Sequence, residues 1–319
     1  MIVISILTNG SAADAGKQDQ DPVTDLETLR IIAQEVPLSS APAKTQGLIE
    51  PILESVVSDK DAALDLSYAG EGYIFANYTG KRDSAIVEII YGDDKITFRY
   101  KYEVGRGWEG YALPCGSGTY RIKIVAYDEY GGKSGKDDTA SFAFKVNFSD
   151  EAPYKYENSY IDYEDDSPFV SAAAYMIMEA EEKLNAPLTD REKTELIVTF
   201  VSQNIATDEE LLEKLEKKET HQYFPMPDEI FASGKGVCGE RAILAAAMLK
   251  SQGLTVKACH GDILMPTTGG EKEKKYHAWI SVYIDGEWAM YDPSFGNTEI
   301  KDGKSRLGIE YLLDTVKPI

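Results

Sequence analysis

GKGVCGERAILAAAML, Gly234 to Leu249, sets a cysteine between glycines at the threshold of an almost wholly apolar run. From Ala242 to Leu249 every residue is apolar, which predicts a central buried helix, hydrophobic nearly all round and stopped by Gly253. Cys238 falls in its first turn, where unpaired backbone N–H groups and the helix dipole stabilise a thiolate. Gly236 and Gly239 leave the backbone room for a tight start and for close approach by a substrate. A lone cysteine there is equally a small packing residue. Its chemistry depends on the partners the chain brings to it.

Candidate partners lie in YHAWISVYIDGEWAMYDPSFG, Tyr276 to Gly296. Asp285-Gly286 between two apolar alternations is a strong hairpin signal. Ala278, Ile280, Val282 and Ile284 then form the core face of the first strand, while His277, Trp279, Ser281 and Tyr283 point the other way. With a two-residue turn, Ile284 pairs with Glu287, and counting back sets Trp279 opposite Asp292. Asp292 therefore shares a sheet face with His277 at the diagonal position, roughly 7–8 Å between backbones and within side-chain reach. A thiol nucleophile needs this arrangement: a histidine takes its proton, and a carboxylate fixes the tautomer and orientation of that histidine. Taken singly, His277 is also a half-buried strand residue and Asp292 a strand-end turn former before Pro293. Cys238, His277 and Asp292 together make a candidate catalytic set.

At 319 residues, the chain suits two domains with a loose terminal segment. Its 43% hydrophobic content is enough for sizeable cores. A formal net charge of −21 repels nucleic acid and anionic membranes, so neither is expected as a partner. No apolar run reaches the roughly 18 residues of a membrane helix. The three cysteines, Cys115, Cys238 and Cys259, have no CxxC spacing and form no disulfide framework or metal site, though one pair stays open. The acidic run at 162–166 lacks the calcium-loop spacing. No cofactor or metal is expected. MIVISIL followed by TNGSAADAGK resembles the end of a secretory signal without its basic leader. With the sandwich described next, it points to an extracellular or cell-envelope location.

Residues 1–60 read as a peripheral arm, with amphipathic helical pieces around 26–36 and 48–57. Over 61–149 the period changes to two. Ile96, Phe98, Tyr100 and Tyr102 alternate with polar residues, as do Tyr120, Ile122, Ile124 and Ala126, and then Phe142, Phe144, Val146 and Phe148. Such short runs between glycine turns argue for an antiparallel β-sandwich of immunoglobulin-like type. GGKSGK at 131–136 has the wrong spacing for a phosphate loop and reads as a hairpin turn. Over 150–319 a Tyr- and Asp-rich linker gives way to helices. Ser167-Pro168 supplies an N-cap and first turn for a helix through about Leu184. Thr189 and Glu192 make a capping box for a helix whose Leu196, Ile197, Phe200, Val201 and Ile205 share a face. The stretch at 208–218 reads as a charged surface helix or loop, and 255–263 as a strand. Helices followed by strands make this part α+β.

The blocks Gly236-Val237-Cys238-Gly239-Glu240-Arg241-Ala242, His277-Ala278-Trp279 and Asp292-Pro293-Ser294-Phe295-Gly296 resemble the three signature blocks of the transglutaminase-like superfamily. Tyr223-Phe224-Pro225-Met226-Pro227-Asp228-Glu229 and the strand at 116–120 resemble bacterial members, which often carry an N-terminal sandwich domain. The resemblance covers roughly 65–319. It implies a papain-like core with Cys238 as nucleophile, His277 as general base and then acid, and Asp292 as orienting carboxylate, acting through a thioester. A family oxyanion donor from an upstream side chain implies Tyr223, which is equally a packing residue; the N–H of Cys238 is the other donor. Glu240 departs from the commonest pattern, and its charge works against a thiolate unless Arg241 offsets it. The chain also runs only a little beyond Asp292.

Two functions remain open on this reading. One is a thiol-dependent acyl-transfer enzyme acting on an amide of a peptide, protein or cell-wall peptide, with hydrolysis favoured over cross-linking. The other is a surface binding or adhesion module with an idle triad, for which the 20 tyrosines argue. His260 next to Cys259 suggests a second pair, but neighbouring strand residues face opposite ways. His221 sits in a polar loop.

Overall fold

The structure, a computed structural model, describes residues 49–318 apart from 83, 93–95, 103, 128–138, 159, 165, 218–224 and 297–298. The signal-like start, the piece at 26–36, the turn at 131–136, His221 and Tyr223 lie outside the described residues.

The alternating part forms two antiparallel sheets. β1 (Val56–Asp59), β2 (Ala62–Asp65) and β3 (Tyr73–Tyr78) are successive neighbours, while β4 (Ser84–Tyr91) and β5 (Ile96–Tyr102) pair in the second sheet. β6 (Glu109–Ala112) returns beside β3, and β7 (Gly118–Tyr127) and β8 (Thr139–Val146) complete the second sheet. The orders are β1-β2-β3-β6 and β5-β4-β7-β8. Val87 and Ile89 of β4 and Ile122 and Ile124 of β7 meet Leu64, Ile74 and Tyr111 in one shared core. Alternation thus places every second residue against the opposite sheet.

The helix expected over 48–57 is absent across the described residues 49–57, and β1 begins there instead. Val56 and Val57 are β-branched and favour a strand, and Leu53 upstream takes a positive φ of 62° that no helix contains.

After a 3-10 turn at Ala152–Lys155 come α1 (Pro168–Leu184) and α2 (Asp190–Asn204), with the expected boundaries. Thr189 and Glu192 form the predicted capping box. Ser167 does not cap α1 with its side chain. Its hydroxyl donates to Asp228 Oδ2 at 2.7 Å, and its oxygen accepts the Glu164 N–H at 3.0 Å in place of a helix N–H. β9 (Ala206–Thr207), α3 (Glu209–Glu216), which has no fully buried residue, α4 (Pro227–Ser233) and β10 (Lys235–Gly236) lead to α5 (Cys238–Ser251).

The remaining strands are β11 (Val256–Pro266), β12 (Lys272–Ile284), β13 (Glu287–Tyr291), β14 (Glu299–Ile300), β15 (Glu310–Tyr311) and β16 (Lys317–Pro318). They form one sheet in the order β14-β13-β12-β11-β15, with β16 also paired to β11. Helices α1, α2, α4 and α5 cover the face that carries Ala278, Ile280, Val282 and Ile284. α5 is the central helix, buried from Ala242 to Ser251. Its Lys250, 1% exposed, donates through Nζ to the Tyr154 carbonyl at 2.9 Å and to the Tyr156 carbonyl. Burial pushes this ammonium down to about 7, against the pull of Glu157. The sheet's other face is covered too: Trp279 packs with Cys259, Ile263, Ile300, Ile309 and Tyr311. Residues beyond the hairpin fold back to make that second layer.

Candidate active site

Cys238 is the first residue of α5, half-buried and packed at the border of the helical core. The turn into the helix is tight. β10 pairs in parallel with β9, and a Cβ at Gly236 would meet Glu240 Cβ at 2.7 Å. Only glycine fits there, because Glu240 folds back over the helix start. Its Oε2 accepts the Val237 N–H at 3.0 Å, satisfying one of the orphan donors.

Glu240 is therefore a cap, and its effect on the sulfur differs from that of a free surface charge. Burial pushes its carboxyl up, against the backbone hydrogen bonds. Arg241 supplies the cation that the sequence called for. Its Nε donates to the Ile205 carbonyl and its Nη2 to Thr207 Oγ1, both at 3.1 Å. Burial lowers the guanidinium, while the charges of Asp292 and Cys238 act to raise it. Glu240→Ala should cost about 1–2 kcal/mol of stability through loss of the cap. Glu240→Gln keeps an acceptor and should cost less than half of that. Urea unfolding midpoints of the two variants check this, and equal losses would show that the cap contributes nothing.

His277 stands on β12 opposite Gly261, and the hairpin has the register read from the sequence, Ile284 against Glu287 through Ile280 against Tyr291. That pairing carries Asp292, just past β13, to the diagonal of His277. The ring Nε2 meets Asp292 Oδ2 at 2.7 Å. The Cys238 sulfur acts on the same ring. The structure thus brings the three predicted residues together, with His277 7% and Asp292 3% exposed. Burial alone would lower the imidazole. The Asp292 carboxylate, by charge and by hydrogen bond, and the Cys238 sulfur outweigh it and push the ring up to about 10. The ring is therefore cationic at neutral pH, with a carboxylate on one side and the sulfur on the other.

Three contacts went unread in the sequence. Tyr311 of β15 donates its hydroxyl to Asp292 Oδ2 at 2.6 Å in a buried setting, and the Ser294 N–H donates to Oδ1 at 2.8 Å. Phe295 stacks on His277, ring centroids 5.3 Å apart and 24° from parallel, and is 38% exposed. The Asp292-Pro293-Ser294 turn could have suggested the second of these, as an Asx turn. Nothing local could have suggested Tyr311.

The other thiols lack such surroundings. Cys115 and Cys259 are free, and burial pushes Cys115 up to about 11 and raises Cys259. Cys259 is fully buried beside Ser281. His260 lies on the opposite sheet face from His277, paired with Ala278 and set edge-on to Tyr276. Among the described residues, no three His, Cys, Asp or Glu side chains are grouped to hold a metal. A cavity of about 280 Å³ lies elsewhere, between Tyr73, Trp108 and Glu157, and none of the three site residues lines it.

A cysteine heading a buried helix, bound to a histidine and carboxylate on the adjoining sheet, defines a cysteine-enzyme fold. Residues 179–293 match the family model described as the transglutaminase-like superfamily, and they form a transglutaminase-like domain. The match takes in Cys238, His277 and Asp292. Among solved structures, a TGase shares 18% identity and a TM-score of 0.27, over 42% of this chain and 34% of that one. Red sea bream transglutaminase shares 13% identity and a TM-score of 0.30, over 72% of this chain and 49% of its own. A "Putative Cysteine Protease from Cytophaga hutchinsonii" shares 12% identity and a TM-score of 0.27, over 77% of this chain and 83% of its own. The chain thus spans a third to a half of the two transglutaminases. No curated protein matches it.

Proposed function

We propose that the chain is a thiol-dependent acyl-transfer enzyme that cleaves an amide bond in a peptide, protein or cell-wall peptide. Cys238 attacks the amide carbonyl as the thiolate whose proton the His277 ring holds, and the ring then gives that proton to the leaving amine. The carbon–sulfur bond of a thioester replaces the carbon–nitrogen bond. Water then attacks the thioester, with His277 as base, and releases the carboxylic acid and the thiol. An amine in place of water would make the same site a cross-linking enzyme. Asp292 holds the imidazole and balances its charge. The observation that carries this reading is the His277 ring held by Asp292 Oδ2 at 2.7 Å, with Cys238 at the head of α5 acting on the same ring.

Trapping a peptide acyl group on Cys238 and sequencing the trapped fragment tests it. A thioester adduct on wild-type protein, absent from Cys238→Ala, is expected. Adduct formation that survives Cys238→Ala would sink the proposal. Resolving the adduct with water or with a primary amine separates hydrolysis from cross-linking.

An idle binding module loses its compositional support. Tyr73, Tyr102, Tyr111, Tyr120 and Tyr291 are all fully buried, so the tyrosines serve packing first.

The sandwich at 61–149 joins this reading as an immunoglobulin-like unit preceding the catalytic part at 150–319. The return of β6 to β3 and of β7 to β4, in opposite sheets, supports a Greek-key path. An extracellular or envelope location completes the proposal. Mass spectrometry of the N-terminus from native cells tests it: a processed start supports it, and an intact Met1 in the cytoplasm overturns it.

A further inference from the structure

We propose that Tyr311 is a positioning residue for the Cys238–His277–Asp292 set, holding Asp292 in the orientation that keeps the His277 ring against the sulfur. The inference rests on the proposed function and extends it to a residue outside the three signature blocks.

Asp292 Oδ2 takes two donors at once, His277 Nε2 at 2.7 Å and the Tyr311 hydroxyl at 2.6 Å, while Oδ1 takes the Ser294 N–H. A carboxylate with one side-chain donor can rotate about its Cβ–Cγ bond and let the imidazole turn with it. Three donors on two oxygens leave no such freedom. The hydroxyl is itself anchored. Tyr311 is 3% exposed, pairs with Ile263 on β11, and meets Trp279 edge-on at 5.1 Å. Burial and the Asp292 charge push its phenol well above the usual range, so it remains a donor at every working pH. The Tyr311 hydroxyl bonds to Asp292, and its action runs through that carboxylate.

The charged and titratable groups acting on the His277 ring are Asp292 after β13 and Cys238 from α5; Arg241 of α5 acts on both of these, and Tyr311 of β15 bonds to Asp292. Of these, only the tyrosine can be changed to an isosteric group with the loss of one hydroxyl and no formal charge.

Tyr311→Phe keeps the ring packing and removes the donor. Iodoacetamide alkylation of Cys238 at pH 6.5 and at pH 10 reads the result. At pH 10 an ordinary thiol ionises without help from an imidazole, so that rate reports whether the sulfur can be reached. At pH 6.5 the rate depends on the imidazole being in place. The expected outcome is an about ten-fold slower reaction at pH 6.5 with the pH 10 rate within two-fold of wild type. A tyrosine that only fills space would leave the ratio of the two rates unchanged, and that result overturns the inference. His277→Ala run alongside keeps the two proposals apart. If the wild-type rate at pH 6.5 does not depend on His277, the catalytic reading itself fails. If it does depend on His277 and Tyr311→Phe matches wild type, the Tyr311 inference alone fails. Should Tyr311→Phe not fold, the wild-type protein answers by proton NMR. A slowly exchanging Tyr311 hydroxyl resonance with a cross-peak to the His277 ring supports the inference, and rapid exchange of that proton overturns it.

Discussion

His277→Ala should slow the alkylation of Cys238 at pH 6 by on the order of a hundredfold, while leaving the rate above pH 10 nearly unchanged. An ordinary thiol is only about 0.3% ionised at pH 6, and the thiolate is the form that attacks iodoacetamide. In the folded protein, an imidazole carrying its proton faces the sulfur and is bound behind by Asp292. Removing the ring removes the cation that favours the thiolate. Amide turnover should fall further, by three orders of magnitude or more, because the same ring protonates the leaving amine. Alkylation at pH 6 that ignores His277 would show that the observed contact has no chemical consequence.

The same substitution carries a stability signature. The His277 ring titrates near 10 in the folded chain and near 6.5 when unfolded, so the folded state holds the extra proton between those values. Its contribution is fully present below pH 6.5 and is lost as pH rises toward 10. Wild-type stability should therefore fall across that window relative to His277→Ala. Denaturant midpoints for both proteins at pH 6, 8 and 10 measure the difference.

Trp279→Ala should lower stability by about 3–5 kcal/mol, the cost of emptying a fully buried aromatic site. Trp279 has no exposed surface, and it is the centre of the layer formed with Cys259, Ile263, Ile300, Ile309 and Tyr311. Its neighbours come from β11, β14 and β15, elements that have already paired along their strands and cannot close the gap without giving up ladder hydrogen bonds. Trp279→Phe retains a ring and should cost roughly half as much. Guanidinium unfolding followed by circular dichroism decides this. A loss below about 1 kcal/mol for Trp279→Ala would mean that the layer is loosely packed and that the account of this face is wrong.

What could be read from the residues was what is local or periodic. The apolar run after Cys238 gave α5, the Asp285-Gly286 turn gave the hairpin register, and parity along two strands brought His277 to Asp292. Thr189 and Glu192, three residues apart, announced their capping box. The misreadings concern competition between partners that lie far apart in the chain. Ser167 takes the N-cap position as read, but its oxygen accepts the Glu164 N–H and its hydroxyl donates to Asp228, 61 residues on, so its side chain closes no helix N–H. The segment at 48–57 has a helical spacing of apolar residues, yet pairing with β2 draws its end into a strand. Tyr311 lies in a two-residue strand with no period of its own, and only its pairing with β11 carries it to Asp292. Glu240 showed as a charge beside the thiol, and its role emerged once its carboxylate was seen folded onto the Val237 N–H.

Lys250 sets where the transglutaminase-like part can be cut free. The helix that presents the sulfur at its first residue holds, near its far end, an ammonium whose acceptors are the carbonyls of Tyr154 and Tyr156. A truncation starting at Ser167, where the helices begin, would strip both acceptors and strand a cation in an apolar interior. A fragment intended for crystallisation or enzymology should therefore start upstream of Ala152, so that the short turn before the helices travels with the enzyme rather than with the sandwich.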